Sequence, residues 1–347
     1  MKPLKLAFRV DGSPASGMGH IMRCLSLAKE FRKNGDQALF ISKEPVGIAK
    51  ITNEGFPSVS FKGDELKAII RISAIKNLDI LIVDSYKVNR DYLYALKPHI
   101  PLLIYLDDLN QFENPAEIII NGNYAAERLG YSEPAFGCLQ LLGVQYNLIR
   151  EEFKNLPRPA VKPKIERVLI TMGGSDPPNF TGRLITTLRQ DVAFDKIALE
   201  VVVGGGNQHY EQILELSRSY PRVVVHYNTQ HLSKLMLQAD VALSAGGSTL
   251  YELCACGTPT IGIKIAENQN HVLSELARDG YLINLGWYRD LDMNSFKNAI
   301  KMYNYAKRRE TAAKMRQLID SKGTGRVRKK IVEFWLDKRY MDNKLKL

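Results

Sequence analysis

The chain has 347 residues, 45% of them hydrophobic, which suits two domains of roughly 150 residues better than one core. No apolar run reaches the ~18 residues that span a bilayer, and the start MKPLKLAFRV lacks a long apolar segment and a small-residue cleavage site, so a cytoplasmic protein is expected. A net charge of +11 favours anionic partners, yet no basic-aromatic interleaving marks a nucleic-acid surface.

Apolar runs, each followed by glycine or a polar residue and then a helical period, recur along the chain and predict α/β architecture with parallel sheets. In the first half the strands are Leu4 to Val10, Gln37 to Ile41, Ile80 to Val83, Leu102 to Leu106 and Glu117 to Ile120. Their near-continuous hydrophobicity fits strands covered on both faces. The proline-rich stretch NLPRPAVKPKIE, residues 155 to 166, reads as a linker. VLITMGGSDPPNFTGRLITTL then restarts the pattern, and IALEVVVGGG, RVVVHYN, ADVALSAGGS, TPTIGIKIA and GYLINLG follow as strands. Two Rossmann-like domains are expected, 1–155 and 156–347, with a cleft between the carboxyl ends of their sheets. The basic segments KRRETAAKMR and GRVRKKIVEFWLDKRYMDNKLKL read as solvated helix faces and a loose tail, with weak membrane-surface contact as the second reading. Cys24, Cys138, Cys254 and Cys256 show no CxxC spacing, so no metal site is expected.

The loop after the first strand, DGSPASGMGH, brings Gly17, Gly19 and His20 to the start of an amphipathic helix, where unpaired N–H groups favour an anion. The dinucleotide fingerprint fails, because its third glycine is replaced by Met22. His20 is therefore open to three readings: general base, phosphate contact, or polar residue of a helix N-terminus. The other strands end in Asp11, Asp84 and Tyr86, Asp107 and Asp108, and Asn121, Asn123 and Tyr124, which a parallel sheet aligns along one edge. Singly, such residues are common turn and helix caps; together they suit a hydroxyl-rich ligand or an activated water. In the second half, Gly173, Gly174 and Ser175, and again Gly246, Gly247 and Ser248, sit between strand and helix, where backbone amides can approach phosphates. Ser248 and Thr249 can donate from the helix start. Glu252 can accept from ribose hydroxyls, or the pair can form a variant capping box. Asn268, in ENQNH, lies near the same edge.

GMGHIMR, LIVDSY, LDDL, NGNY, YNLIREEF, MGGSD and AGGSTLYE together resemble the UDP-2,4-diacetamido-2,4,6-trideoxy-β-L-altropyranose hydrolases of pseudaminic acid biosynthesis and the related spore coat polysaccharide proteins. The late block also resembles the nucleotide segment of MurG-type transferases, which implies GT-B architecture. The resemblance implies metal-free hydrolysis of a UDP-sugar, without a cofactor, by water attacking the anomeric carbon with inversion. It implies His20, Tyr86 and Asp11 as catalytic residues and Arg23 and Asn121 on the substrate. It also implies UDP held by the two glycine turns, Ser248, Thr249, Glu252 and Asn268. A glycosyltransferase and a non-catalytic nucleotide-sugar binding protein are the alternatives. The GT-B resemblance also implies, as an alternative to the loose tail, a basic C-terminal segment that crosses back over the first domain.

Overall fold

The computed structural model describes residues 2–13, 17–134 and 137–344. Residues 14–16 of the loop before His20 and residues 345–347 of the basic tail lie outside the described residues. The first half runs β1 (Lys5–Val10), α1 (Gly19–Lys33), β2 (Gln37–Ile41), α2 (Pro45–Asn53), β3 (Ser58–Val59), α3 (Glu65–Lys76), β4 (Ile80–Asp84), α4 (Arg90–Leu96), β5 (Leu102–Leu106), β6 (Ile118–Asn121) and β7 (Leu139–Leu142). The strands form one parallel sheet in the order β3-β2-β1-β4-β5-β6-β7. Every residue of β4 and β5 is buried, which is why these strands read as unbroken apolar runs instead of alternating ones. The strand order reverses between β1 and β4, and it is at such a switch point that the carboxyl ends of an open sheet leave a crevice.

Helix α1 follows Gly17, whose φ of 77° suits glycine. The helix buries Ile21, Cys24, Leu25, Ala28 and Phe31 at helical spacing, leaving His20 and Arg23 on its more polar side. Asp64 and Asn89 cap α3 and α4 by accepting the amides of Lys67 and Tyr92.

The second half repeats the alternation: β8 (Arg167–Thr171), α5 (Phe180–Arg189), β9 (Ala198–Val203), α6 (Tyr210–Ser219), β10 (Val223–Tyr227), α7 (Leu232–Gln238), β11 (Val241–Ala245), α8 (Thr249–Cys256), β12 (Thr260–Lys264), α9 (Asn270–Arg278), β13 (Ile283–Trp287), α10 (Met293–Met302) and α11 (Tyr305–Leu318). Its sheet is also parallel, in the order β10-β9-β8-β11-β12-β13, with the reversal between β8 and β11. Val168, Ile170, Leu199, Val201, Leu243 and Ile261 form the centre of its core. Both expected sheets are present, and all six strands expected in the second half form. The reading of the first half lacked β3 and β7. These are short, and their residues are mostly half-buried, so they carry neither a long apolar run nor a clean alternation.

The contact-defined units differ from the expected domains 1–155 and 156–347. Among the described residues, one unit holds 2–13, 20–150 and 322–344, the other 17–19 and 151–321. Residues 156–166 contain no helix or strand. The terminal helix α12 (Gly323–Lys344) therefore belongs with the first unit, which corrects the reading of this segment as a loose tail of the second domain. Its packing gives the reason. Val327, Ile331 and Trp335 are buried, the Arg328 guanidinium bonds Asp36 at 3.0 Å and lies over the Phe31 ring, and Thr324 donates to the Ile149 carbonyl. Gly323 lies so close to the Asn147 carbonyl that a Cβ would collide with it. Among the described residues no helix is long and apolar enough to cross a membrane.

Candidate active site

The carboxyl end of β4 carries Asp84, whose side chain is closed to solvent. Its Oδ1 lies 2.6 Å from His20 Nδ1 and accepts Arg23 Nη2 at 2.6 Å, while Oδ2 accepts Arg23 Nε at 2.7 Å and Cys24 Sγ at 3.4 Å. His20 and Arg23 are three residues apart on the first turn of α1, so they project side by side. The fork of Arg23 continues to Asp108, after β5, with Nη1 to Oδ1 at 2.7 Å. Asp108 also accepts Tyr86 Oη at 2.7 Å and Asn123 Nδ2 at 2.7 Å. The Tyr86 ring stands edge-on to the His20 ring, with centroids 4.5 Å apart. Three strand ends and one helix start thus meet at the first switch point.

Burial alone would raise the Asp84 carboxyl, but the charges of Arg23 and His20 and their hydrogen bonds hold it well below the usual carboxylate range. Asp108 is lowered in the same way, burial being outweighed chiefly by Arg23. Both are therefore acceptors at neutral pH. A carboxylate at 2.6 Å requires a proton on His20 Nδ1, so the approach of Arg23 Nη2 to Nδ1 at 3.1 Å places two donors on one shared oxygen. In the neutral imidazole this assignment leaves Nε2 with its lone pair. No protein group among the described residues bonds to Nε2.

The other expected residues of this unit fall elsewhere. Asp11 pairs with Arg9 at 2.7 Å and accepts Ser42 Oγ and the Lys43 amide, and no hydrogen bond or ion pair joins it to His20. Its placement sets it apart from the His20 cluster: Val10 pairs with Asp84 in the β1–β4 register, so Asp11, one residue on, alternates to the opposite face. Asn121 is 1% exposed. Its amide bonds Tyr131 Oη and its oxygen takes the Asn123 amide, so it shapes the turn that delivers Asn123 to Asp108. Burial raises the Asp107 carboxyl, which caps its own loop by accepting the amides of Leu109 and Asn110. Asp84, Asp108 and Asn123 were legible only as polar strand ends. Within YNLIREEF, Asn147 Nδ2 donates to the Gly122 carbonyl.

In the second unit, Gly173, Gly174 and Ser175 form the turn after β8, with Gly173 at φ 80°. Asp176 follows and accepts the amides of Phe180 and Thr181 at 2.9 Å, capping α5. A Cβ on Gly204 would stand 2.5 Å from the Gly174 carbonyl oxygen, so the first glycine of the GGG stretch is required by backbone approach. After β11, Gly246 is pressed against Leu273, whereas Gly247 faces open space. Ser248 is exposed and makes no side-chain cap, so the capping-box alternative fails and its hydroxyl is not spent on its own helix. Glu252 is buried. Gln269 braces this edge by accepting the amides of Gly246 and Ile265, and its neighbour Asn268 is exposed. Gly247, Ser248 and Thr249 thus share the carboxyl end of one central strand, and Gly173 to Ser175 that of the adjacent one, β8.

No protein-family model matches the chain. An uncharacterised protein of Methanocaldococcus jannaschii is 29% identical over 273 residues, covering 74% of this chain and 55% of the relative, so the chain spans about half of that protein. The UDP-2,4-diacetamido-2,4,6-trideoxy-β-L-altropyranose hydrolase of Campylobacter jejuni is 24% identical over 281 residues, covering 80% of this chain and 98% of the relative. The spore coat polysaccharide biosynthesis protein SpsG of Bacillus subtilis is 24% identical over 295 residues, covering 80% and 82%. MurG of Acinetobacter baumannii superposes with a TM-score of 0.68 at 16% identity, covering 94% of this chain and 98% of that structure. The architecture is GT-B. In a GT-B frame the two switch points differ in chemistry: the first is charged and hydrogen-bonded through side chains, the second is lined by glycine backbone.

Proposed function

We propose that the chain hydrolyses a UDP-linked diacetamido-trideoxyhexose, releasing UDP and the free sugar for nonulosonic acid or surface polysaccharide synthesis. The observation that carries this reading is the His20 imidazole, bonded through Nδ1 to the closed-off Asp84 carboxylate, with Nε2 bonded by no protein group among the described residues. In this reading Nε2 takes a proton from water as the water oxygen bonds to the anomeric carbon. The bond from that carbon to the diphosphate oxygen breaks, and its electron pair leaves with UDP, giving inversion. Asp84 holds the tautomer and stabilises the imidazolium that forms. Arg23 and Asp108 fix Asp84 and Tyr86, and the Tyr86 ring limits the motion of the imidazole. The glycine turns and the α8 start, with Gly17 before α1 and Gly19 at its first position, supply amides for the diphosphate, which needs no metal; Glu252 takes the ribose.

The relatives' names support a UDP-sugar substrate, and the hydrolase reading follows the Campylobacter relative. The second reading, an inverting glycosyltransferase, is favoured by the likeness to MurG, which shares its fold. Proton NMR of the purified chain with the diacetamido UDP-sugar, in the presence of EDTA, tests both. UDP and a free sugar of inverted configuration, formed without added acceptor, are expected. UDP release only after addition of an acceptor glycan overturns the hydrolase reading.

A further inference from the structure

At the opposite end of the second sheet, where β8, β11 and β12 begin, lies a cavity of about 340 Å³ that the reaction at His20 does not use. Its wall includes the linker residues Pro159 to Lys162, and its floor the strand starts. Four cationic side chains line it: Lys162, Arg167, Arg308 and Arg316. Two are matched. Lys162 pairs with Glu166, and Arg167 with Glu200, which also holds His226.

The other two are matched less well. Arg308 is 1% exposed; it spends Nε on the Tyr303 carbonyl and Nη2 on the Lys162 and Pro163 carbonyls, and its Nη1 has no hydrogen-bond partner. The nearest carboxylate, Asp240, stands 3.8 Å from Nη1 and gives its other oxygen to the amides of Glu166 and Arg167. Arg316 donates to the Cys256 and Pro159 carbonyls, and no carboxylate pairs with it. Buried Arg308 thus has one offset carboxylate, half-buried Arg316 has none, and Arg158 adds to the positive field at Arg316. A buried charge without a full counter-ion is costly, and a bound anion relieves that cost.

We propose that this cavity is an oxyanion site, taking a phosphate group, free or at the end of a small metabolite. Arg316 Nη1, with no acceptor among the described residues, makes the direct contact. Arg167 and Lys162 are at the rim, where their side chains are 41% and 47% exposed, and the buried Arg308 supplies charge from beneath. Guanidinium donors and a partly enclosed space suit phosphate geometry.

Calorimetric titration of inorganic phosphate into the full chain, with excess UDP and constant ionic strength set by chloride, tests the site. Saturable one-site binding is expected, weakened at least about tenfold by Arg316→Gln, the loss of a charge-assisted hydrogen bond. Arg167→Gln, a change at the exposed rim, weakens it less and serves if the first variant misfolds by circular dichroism. Displacement by glycerol 3-phosphate assigns a metabolite, and binding of inorganic phosphate alone assigns the free ion; both uphold the site. Absence of saturable binding, or equal affinity in wild type and both variants, overturns it. UDP release in both variants stays at the wild-type rate without phosphate, so a failure of the hydrolase reading is read separately.

Discussion

Replacing Asp84 by Asn tests the proton assignment on which the hydrolase reading stands. The carboxylate takes three bonds of 2.6 to 2.7 Å, one from His20 and two from Arg23. An amide offers one oxygen and one NH2, so at least one donor then faces another donor. Removing one partner of a buried ion pair costs about 3–5 kcal/mol. Because Arg23 keeps Asp108 at 2.7 Å and its side chain is 21% exposed, we expect the lower end, about 3 kcal/mol. The catalytic effect is larger. With the amide NH2 facing Nδ1, the imidazole carries its proton on Nε2 and presents no lone pair to water. A general base contributes about 10²–10⁴ in rate, so kcat for UDP release falls by that factor. UDP affinity, assigned to the second unit, changes by less than about threefold, under 1 kcal/mol. Coupled detection of UDP release, with calorimetric UDP binding and a urea midpoint on the same sample, reads all three quantities. A folded variant that keeps wild-type kcat, or that loses UDP affinity as steeply as turnover, refutes the assignment of His20 as base.

Burial alone would raise the Glu65 carboxyl, but bonds from Arg9, Lys43 and Tyr92 hold it at about 2. Since the folded value lies below the ordinary ~4.3, its stabilisation of about 3 kcal/mol is present above that pH and is lost as pH falls toward 2. Urea midpoints of wild type and Glu65→Gln should therefore differ at pH 7 and converge in acid. Ser248 makes no side-chain cap, so Ser248→Ala shifts stability by less than about 0.5 kcal/mol, whereas loss of a true cap costs about 1; UDP binding weakens measurably in calorimetry. Gly204→Ala drives a Cβ into the Gly174 backbone and lowers the denaturation midpoint by about 1–3 kcal/mol equivalent, with weaker UDP binding. Cys24, Cys254 and Cys256 are buried and Cys138 is not, and burial pushes the Cys254 thiol up to about 12; a thiol reagent at neutral pH should label one of the four cysteines in the native chain.

The strands were legible because a parallel strand covered on both faces is an unbroken apolar run, as in β4 and β5. Their polar ends were legible too, Asp84 and Asp108 among them. Partnership was not. Asp84 is 64 residues from His20 in sequence, and Asp11, which follows β1 itself, was the nearer choice. A single residue of pleat separates the two: Asp84 shares a row with Val10, while Asp11 shares a face with Arg9 and pairs with it. Ordering between strands is set by the crossovers, which no local pattern encodes. The docking of α12 was hidden for a related reason. Its charges suggested a solvated tail, yet Arg328 is used on Asp36 and Phe31, and the apolar stripe Val327, Ile331 and Trp335 is buried at i, i+4, i+8.

Under the proposed function, charge favours the base role of His20 over a phosphate contact. Asp84 and Asp108 are ionised and Arg23 offsets one of them, so these three groups together carry a net charge of about −1. A diphosphate brought against them adds negative charge beside two carboxylates whose oxygens are already committed. A proton taken from water instead brings the cluster to neutrality, with the imidazolium already bonded to Asp84. In that reading the same four groups disfavour a phosphate and favour proton transfer, whereas the glycine turns after β8 and β11 put no carboxylate side chain among their own residues. The proposed division between a proton-accepting edge on the first sheet and an amide-lined edge on the second would follow from which residues end the strands at the two switch points.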